Sequence, residues 1–213
     1  MNTSRTTPTN RQTSLRGFTL LELMVTLAIA AILATLAAPA MQDMIIKSRL
    51  SGVGSQFTGH ILRARNEAIS HNTCTVMCLS TTTETAITTS SGKITAGPTC
   101  ANAGNDWQQG WIVFLKEDCI NNTQDANSRP ELPEDYIVIK SSIGVSYKLL
   151  AQSGSPPTRF FFDASGRPGN LNGTAQVNMQ YDTSNSTLTQ NFGFNICVDS
   201  VGRTRTISWS QSC

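Results

Sequence analysis

The longest apolar run of the chain extends from Phe18 to Met41, and its 24 residues carry one formal charge, that of Glu22. At about 1.5 Å per residue, a helix of this length spans a hydrocarbon core of about 30 Å. The seventeen residues before the run hold three arginines and no acid, and this positive charge favours a cytoplasmic N-terminus with the rest of the chain exported. The pattern therefore predicts a helix that crosses a membrane once.

A secretory signal peptide and a plain membrane anchor are the two other interpretations of this run. A signal peptide would share the basic start and the small residues near Ala37 and Ala40. The run is long for such a peptide, however, and Glu22 interrupts the part that has to be most apolar. A plain anchor leaves the Glu22 carboxylate without a partner, although acids inside membranes are costly and usually paired. We therefore expect Glu22 to have a partner.

The pattern changes twice after the apolar run. From residue 42 to 72, apolar positions recur at helical spacing, most clearly from Phe57 to Ile69, which predicts an amphipathic continuation of the helix. Glycines at positions 52, 54 and 59 are expected to weaken it, each by up to about 1 kcal/mol relative to alanine. From residue 73 onwards, β-forming segments alternate with turn residues, and they predict one β-rich domain. These segments are CTVMCLS, WQQGWIVFLKED, YIVIKSSIGVSYKLL, TRFFFDASGRPG, AQVNMQYD and NFGFNICVDSVGRTRTISWS.

The charge of the whole chain does not point to nucleic acid. The 213 residues have a net charge of +2, and without the first seventeen residues 13 basic side chains stand against 14 acidic ones. Residues 136–213 are the electropositive part, with six basic and three acidic side chains, whereas residues 100–135 hold two basic and seven acidic ones. A nucleic-acid site would therefore have to be a local patch in the C-terminal part.

Six cysteines lie outside the apolar run: Cys74, Cys78, Cys100, Cys119, Cys197 and Cys213. An even number in a chain with an export-like N-terminus predicts disulfides in an oxidising compartment. We expect Cys197 to pair with Cys213, where closure of the loop would contribute about 3 kcal/mol. Cys74 and Cys78 are too far apart in one extended strand to pair with each other, so they are expected to bond separately to Cys100 and Cys119.

Zinc is the alternative for part of this set, because His71, Cys74 and Cys78 lie close together. Their spacing is not that of a paired zinc knuckle, and we expect no metal and no other cofactor. Enzymatic chemistry is not expected either. Both histidines, His60 and His71, lie on the predicted helix without a G-x-S-x-G, a phosphate loop or paired carboxylates beside them. Asp163 belongs to a turn sequence, DASGR.

The segment RGFTLLELMVTLAIAAILATLAAP resembles the class III signal of type IV pilins and type II secretion pseudopilins. The resemblance implies that a prepilin peptidase cuts between Gly17 and Phe18 and methylates Phe18 to N-methylphenylalanine. Glu22 would then pair with the N-terminal amine of a neighbouring subunit, since a buried ammonium and carboxylate are far less costly together than apart. Pro39 stands where pilins commonly have a helix-disturbing proline. The resemblance also makes residues 1–17 a cleaved leader.

The blocks LRARNEAISHNTCTVMC, WQQGWIVFLKED, FFFDASGRPG and FNICVDSVGRTRTIS resemble the GspH/FimT family of minor pilins and pseudopilins. This resemblance implies an α+β pilin fold: a transmembrane and assembly helix over residues 18–41, its amphipathic extension over 42–72, and a disulfide-stabilised head over 73–213. Other major and minor pilins, the prepilin peptidase and the inner-membrane assembly platform are the implied partners. The implied location is the inner membrane, with a cytoplasmic N-terminus, and then the pilus, periplasm and cell surface.

The C-terminal segment VGRTR resembles the Gly-Arg-x-Arg element of FimT-type minor pilins, which is associated with DNA binding in natural transformation. The resemblance implies that Gly202, Arg203 and Arg205 contact double-stranded DNA. Two arginines with one residue between them point to the same face of an extended segment. They can neutralise phosphates roughly 6–7 Å apart without reading the base sequence. Arg159 and Arg167 are weaker supporting candidates.

Two alternatives stand beside the DNA interpretation. The segment can be a turn glycine followed by two exposed strand arginines with no ligand. The alternative resemblance is to the GspH type, a minor pseudopilin of type II secretion with a structural role at the filament tip and no DNA binding. Whether the purified protein retards DNA distinguishes these possibilities.

Overall fold

The structure is a computed structural model, which describes residues 17–80, 87–88, 94–101, 106–116, 135–141, 147–151, 158–169, 174–181 and 186–213. The chain divides into two units, Met1–Met44 and Ile45–Cys213, and each is described by itself. Helix α1 (Leu20–His71) is continuous and contributes residues to both units.

In the first unit, the apolar part of α1 has exposed side chains throughout its most hydrophobic stretch. Its length and composition suffice for crossing a membrane, as the apolar run predicts. The helix is capped at its start by Thr19, whose Oγ1 accepts a hydrogen bond from the backbone N–H of Glu22 at 3.2 Å. The sequence Thr-Leu-Leu-Glu therefore also has the spacing of a capping box.

In the second unit, the remainder of α1 buries one stripe of apolar side chains against the strands. The fully buried members of this stripe are Leu50, Phe57, Ile61, Ala64 and Ala68. Their spacing of three, four or seven residues matches the helical repeat, which is why the amphipathic pattern predicts this part correctly. The three glycines do not interrupt the helix, and Gly54 instead makes room for the ring of Phe194.

The described strands of the second unit are β1 (Cys74–Leu79), β2 (Ile87–Thr88), β3 (Ile94–Ala96), β4 (Gly110–Lys116), β5 (Tyr136–Ser141), β6 (Lys148–Ala151), β7 (Arg159–Phe162), β8 (Ala175–Gln180), β9 (Phe194–Val198) and β10 (Thr204–Ser208). A 3-10 turn (Trp107–Gln109) precedes β4, and a short helix α2 (Ser186–Phe192) precedes β9. One antiparallel sheet has the order β5-β4-β1-β7, a second has the order β10-β9-β8-β6, and β2 pairs with β3.

The core of the second unit lies between α1 and the two four-stranded sheets. Phe57 of α1 contacts the rings of Trp107 and Trp111 edge-on, with 5.3 Å between ring centroids in both pairs. A second apolar cluster on the other face of β1 includes Cys74, Val76 and Cys78. Because both faces of β1 are covered, all six of its residues are buried.

The predicted α+β architecture with antiparallel sheets and disulfides is confirmed, and two details differ from the expectation. Helix α2 lies in the segment STLTQNF, where its seven residues are too few for a recognisable helical repeat. The segment YIVIKSSIGVSYKLL forms two strands that belong to different sheets, β5 and β6. The predicted connection over residues 119–135 falls almost entirely outside the described residues.

Two disulfides are described, Cys78–Cys100 and Cys197–Cys213. The second is the pair expected from the sequence, and the first is one of the two pairings left open for Cys78. Cys74 is also disulfide-bonded, and Cys119 lies outside the described residues. Since Cys74 and Cys78 are both oxidised, neither offers a thiolate to zinc, and the alternative of a zinc site with His71 is wrong.

Candidate nucleic-acid interface

The candidate site is the hairpin that joins β9 to β10 through the turn Asp199–Arg203. The Asp199 Oδ1 atom accepts from the backbone N–H groups of Val201 at 3.0 Å and Arg203 at 2.8 Å. The backbone closes with Gly202 N–H donating to the Asp199 carbonyl at 2.9 Å and Asp199 N–H donating to the Arg203 carbonyl at 3.0 Å. Gly202 has a φ of 79°, a conformation that favours glycine in three-residue hairpin loops.

Both arginines of the predicted element are exposed on this hairpin. Arg203 donates from Nε to Asp199 Oδ2 at 2.8 Å and keeps 77 % of its side chain exposed. Its terminal nitrogens make no hydrogen bond within the part of the chain that the structure describes, so they can still donate to a ligand. Arg205 donates from Nη2 to the carbonyl oxygen of Cys213 at 3.2 Å.

The segment after β10 is fastened back onto the sheet. Cys213 is bonded to Cys197 of β9, and its N–H donates to the Gln176 side chain at 3.0 Å. The side-chain Nδ2 of Asn195 lies within hydrogen-bond distance of three backbone oxygens at the end of β10 and just after it, those of Ser208, Trp209 and Gln211. These contacts fix the hairpin that presents the two arginines.

A second turn, Asp163–Arg167, repeats this geometry. Asp163 Oδ1 accepts from the N–H groups of Ser165 at 2.8 Å and Arg167 at 3.0 Å. Gly166 N–H donates to the Asp163 carbonyl at 2.8 Å, Asp163 N–H donates to the Arg167 carbonyl at 3.0 Å, and Gly166 has a φ of 75°. The sequences DASGR and DSVGR share the D-x-x-G-R pattern, a signal that comparison of the chain with itself would have found.

The two D-x-x-G-R turns touch each other and α1. A Cβ built on Gly202 would lie 2.8 Å from the carbonyl oxygen of Gly166 and 3.1 Å from Nε of Arg65. Arg65 Nε donates to that same Gly166 oxygen at 2.9 Å. A Cβ on Gly166 would lie 2.6 Å from Cδ1 of Ile69. Gly202 is therefore required by close contact with the backbone as well as by its conformation, Gly166 mainly by its conformation, and Arg65 lies at the junction.

The turn carboxylates are stabilised in their charged form. Partial burial raises the pKa of Asp163, but hydrogen bonds from the Ser165 hydroxyl and from the Arg167 and Ser165 amides, together with the Arg167 charge, lower that pKa overall. Burial likewise raises the pKa of Asp199, and the Arg203 amide and guanidinium, the Val201 amide and the Arg203 charge lower it overall. Both acids therefore stay ionised at neutral pH, and the negative charge of each partly compensates the positive charge of the arginine in the same turn.

The two supporting candidates, Arg159 and Arg167, differ in their exposure to solvent. Arg167 is exposed at the end of its turn, where a ligand can reach it. Arg159 is only 5 % exposed in β7, and a buried guanidinium cannot contact a DNA backbone. Arg159 is therefore removed from the candidate site; its position in TRFFF, one residue before three aromatic residues, was the available signal for burial.

The residues predicted for processing and assembly lie at the N-terminal end. Gly17 and Phe18 precede α1, and the Phe18 side chain is 81 % exposed. Glu22 is in the first turn of α1, and its carboxylate makes no ion pair with any residue that the structure describes. Pro39 lies within α1. The structure places Glu22 in an exposed apolar surface, where no residue with a described position forms an ion pair with it.

The histidines have structural contacts. His60 Nδ1 accepts a hydrogen bond from Nε1 of Trp111 at 2.9 Å, and His71 lies 3.4 Å from Glu67. Among the residues with described positions, no three His, Cys, Asp or Glu side chains form a group that could hold a metal ion.

Comparison with known proteins gives two family matches. Residues 54–212 match the family described as Type II transport protein GspH, and residues 14–38 match the prokaryotic N-terminal methylation motif. A crystal structure of the type IV minor pilin FimU of Pseudomonas aeruginosa PAO1 is similar at 13 % identity and a TM-score of 0.47, covering 78 % of this chain and 93 % of that chain. A second FimU crystal form gives 13 % and 0.39, with coverage of 76 % and 96 %. The curated proteins give no match.

Proposed function

We propose that this chain, which belongs to the Type II transport protein GspH family, is a type IV minor pilin that binds DNA for uptake in natural transformation. Membership of this family makes it a minor pilin or pseudopilin of a type IV pilus or a type II secretion system. The proposed contact is the segment Gly202–Arg205. The observation that carries this proposal is the exposure of Arg203 and Arg205 on a hairpin that the Asp199 turn and the Cys197–Cys213 disulfide hold in place.

The chemistry of this hairpin suits a phosphate backbone. Arg203 uses Nε for its ion pair and keeps its terminal nitrogens for a ligand, and Arg205 donates from Nη2 to the backbone oxygen of Cys213. Guanidinium groups donate to phosphate oxygens in pairs of hydrogen bonds. Contacts of this kind position a protein on DNA without selecting a base sequence, so the proposed partner is double-stranded DNA of any sequence.

The N-terminal part of the proposal concerns processing and location. A prepilin peptidase would remove residues 1–17 and methylate Phe18, leaving 18–41 as the membrane and assembly helix, 42–72 as its extension and 73–213 as the head. The match of residues 14–38 to the methylation motif supports the processing part of this proposal. The precursor would cross the inner membrane once with a cytoplasmic N-terminus, and the mature chain would join other pilins in the filament through the assembly platform.

The DNA proposal is tested with the full mature chain purified in a non-ionic detergent. The double variant Arg203→Ala and Arg205→Ala should no longer retard duplex DNA at moderate salt, because both phosphate contacts are lost. Arg63→Ala is the matched control, since Arg63 is exposed and ion-paired with Glu67 on α1. Retardation that is unchanged in the double variant would contradict the proposal.

The assembly role of Glu22 is tested separately. Glu22→Ala should insert into the membrane, because the apolar run is unchanged, but it should enter filaments poorly because the N-terminal amine of the neighbouring subunit loses its carboxylate. Glu22→Gln is the matched variant that keeps the shape of the side chain and removes its charge. Normal incorporation of both variants would show that Glu22 has no such partner.

The second candidate is a minor pseudopilin of type II secretion, without DNA binding and with a structural role at the tip. The description of the matching family favours it. A strain that lacks the chain distinguishes the two: loss of transformation with normal secretion supports the pilus function, and loss of secretion with normal transformation supports the pseudopilin function.

A further inference from the structure

Arg65 lies where the two D-x-x-G-R turns meet. Its Nε is hydrogen-bonded to the Gly166 carbonyl, which precedes Arg167, and is in close contact with Gly202, which precedes Arg203. The backbone positions from which Arg167 and Arg203 extend therefore lie close to Arg65, although the three arginines are far apart in the sequence. Arg65 is half-buried, whereas Arg167 and Arg203 are exposed.

The charges of these arginines are compensated to different degrees. Arg203 is paired with Asp199 at 2.8 Å, and Arg167 follows Asp163, whose carboxylate accepts hydrogen bonds from the same turn. Arg65 forms no ion pair with any residue of the described ranges. Its described hydrogen bond is to a neutral carbonyl oxygen, so no described carboxylate neutralises its charge, and its Nε lies close to Gly202, the residue before Arg203.

We propose that Arg65 and the two D-x-x-G-R turns form one composite phosphate-binding site, in which Arg65 and Arg167 extend the DNA contact of Arg203 and Arg205. This inference rests on the proposed function. Arg203 and Arg205 alone can neutralise only a small number of phosphates, and Arg65 and Arg167 would add phosphate contacts next to theirs.

The site is assembled before DNA arrives. Each turn is closed by its own aspartate, the two turns are in contact through Gly166 and Gly202, and Arg65 is bonded to one of them. Little ordering of the backbone is therefore needed on binding, which favours affinity. The aspartates reduce the attraction for phosphate, and the uncompensated Arg65 offsets part of that reduction.

The salt dependence of DNA affinity tests this site, because each lost phosphate contact reduces the slope of log K against log salt by about 0.9. The full mature chain in non-ionic detergent is titrated with a duplex of about 30 base pairs over a range of salt. Arg65→Gln and Arg167→Gln should each reduce the slope by about that amount. Arg63→Gln, two residues away on the same helix and paired with Glu67, should leave it unchanged.

Arg65→Lys separates the charge of Arg65 from its structural contact, since lysine keeps the charge and lacks Nε. We expect the wild-type slope in Arg65→Lys. A loss equal to that of Arg65→Gln would show that Arg65 only holds the turns, and would overturn the proposal. Unchanged slopes in Arg65→Gln and Arg167→Gln, with binding lost in Arg203→Gln and Arg205→Gln, would overturn it as well and leave the proposed function intact. A wild-type chain that binds no DNA at low salt would contradict both the composite site and the proposed DNA-binding function.

Discussion

The turns Asp163–Arg167 and Asp199–Arg203 have the same backbone and different continuations. In both, an aspartate accepts from the amides two and four residues ahead, and a glycine with positive φ precedes the arginine. After Arg167 comes Pro168, which has a single bridge to Phe162. After Arg203 comes β10, a five-residue edge strand that carries Arg205, and a disulfide bonds the segment that follows β10 back to β9.

This difference shows which part of the GRTR segment can be functional. The Gly-Arg pair occurs in both turns with the same backbone geometry, which its glycine provides, so this pair does not by itself distinguish the C-terminal hairpin. What distinguishes the C-terminal hairpin is the second arginine on a strand with one unpaired edge. The comparison therefore assigns more of the proposed DNA contact to Arg205 than the Gly-Arg-x-Arg pattern alone suggests.

The largest expected difference between the turns comes from the disulfide, which only the C-terminal hairpin has within the described structure. Replacing Cys197 and Cys213 with serine should lower the free energy of unfolding by about 3 kcal/mol, as expected for a loop of this size. Denaturation of the full chain in non-ionic detergent, followed by fluorescence of the buried Trp107 and Trp111, measures this loss.

Hydrogen exchange supplies the control for the disulfide. In the serine variant the amides of Val201 and Arg203 should lose protection, whereas those of Ser165 and Arg167 should keep it. An equal loss in both turns would show that the disulfide stabilises the domain as a whole and not the hairpin.

The second difference concerns the two turn glycines. Gly202→Ala places its Cβ against the backbone oxygen of Gly166, whereas Gly166→Ala meets the end of the Ile69 side chain, which can move. With the cost of positive φ added, we expect losses of about 2–3 kcal/mol for Gly202→Ala and about 1–2 kcal/mol for Gly166→Ala. Gly52→Ala, where α1 has open space, should stabilise by up to about 1 kcal/mol. Equal losses at the two turns would contradict the contact between them.

The sequence predicts the elements that local patterns determine. The apolar run, the stripe from Phe57 to Ile69 and the strands around β1 and β4 follow from periodicity and β-branched or aromatic content. The pairing of Cys197 with Cys213 follows from their positions on either side of one hairpin. These features depend on residues near each other in the chain.

The rest of the site could not be predicted because it depends on contacts between distant segments. The Arg65–Gly166 hydrogen bond joins residues 101 positions apart, and no local pattern distinguishes Arg65 from its exposed neighbour Arg63. The burial of Arg159 likewise results from the position of β7 beside β1. Asp199 was the missed partner of Arg203, although the D-x-x-G-R pattern places an acceptor four residues before the arginine.

The third difference appears in acid. The folded-state pKa of both Asp163 and Asp199 is lower than the ordinary value of 3.8, so both carboxylates stabilise the fold well above that pH. This stabilisation is lost as the pH falls through 3.8 towards the lowered values, because the unfolded chain then binds more protons than the folded one. Asp163→Asn with Asp199→Asn should therefore flatten the pH dependence of the melting temperature below about pH 4.

Single variants sharpen the acid comparison. Asp199 accepts from the Arg203 side chain and Asp163 from the Ser165 hydroxyl, so salt should weaken the contribution of Asp199 more than that of Asp163. A pH profile that is the same in the double variant and the wild type would show that neither carboxylate contributes.

The smallest expected effect is on DNA affinity, and it separates the two turns by charge alone. Asp199→Asn keeps an oxygen for the Val201 and Arg203 amides and removes the negative charge that is 2.8 Å from the Arg203 Nε. We expect DNA affinity at low salt to rise about 2–5-fold. This gain should disappear at high salt, because exposed charges are screened. Asp163→Asn should give a smaller gain, since no described hydrogen bond links the Asp163 and Arg167 side chains. If Asp199→Asn binds DNA no better than the wild type, Arg203 does not contact phosphate, and the DNA contact of the hairpin rests on Arg205.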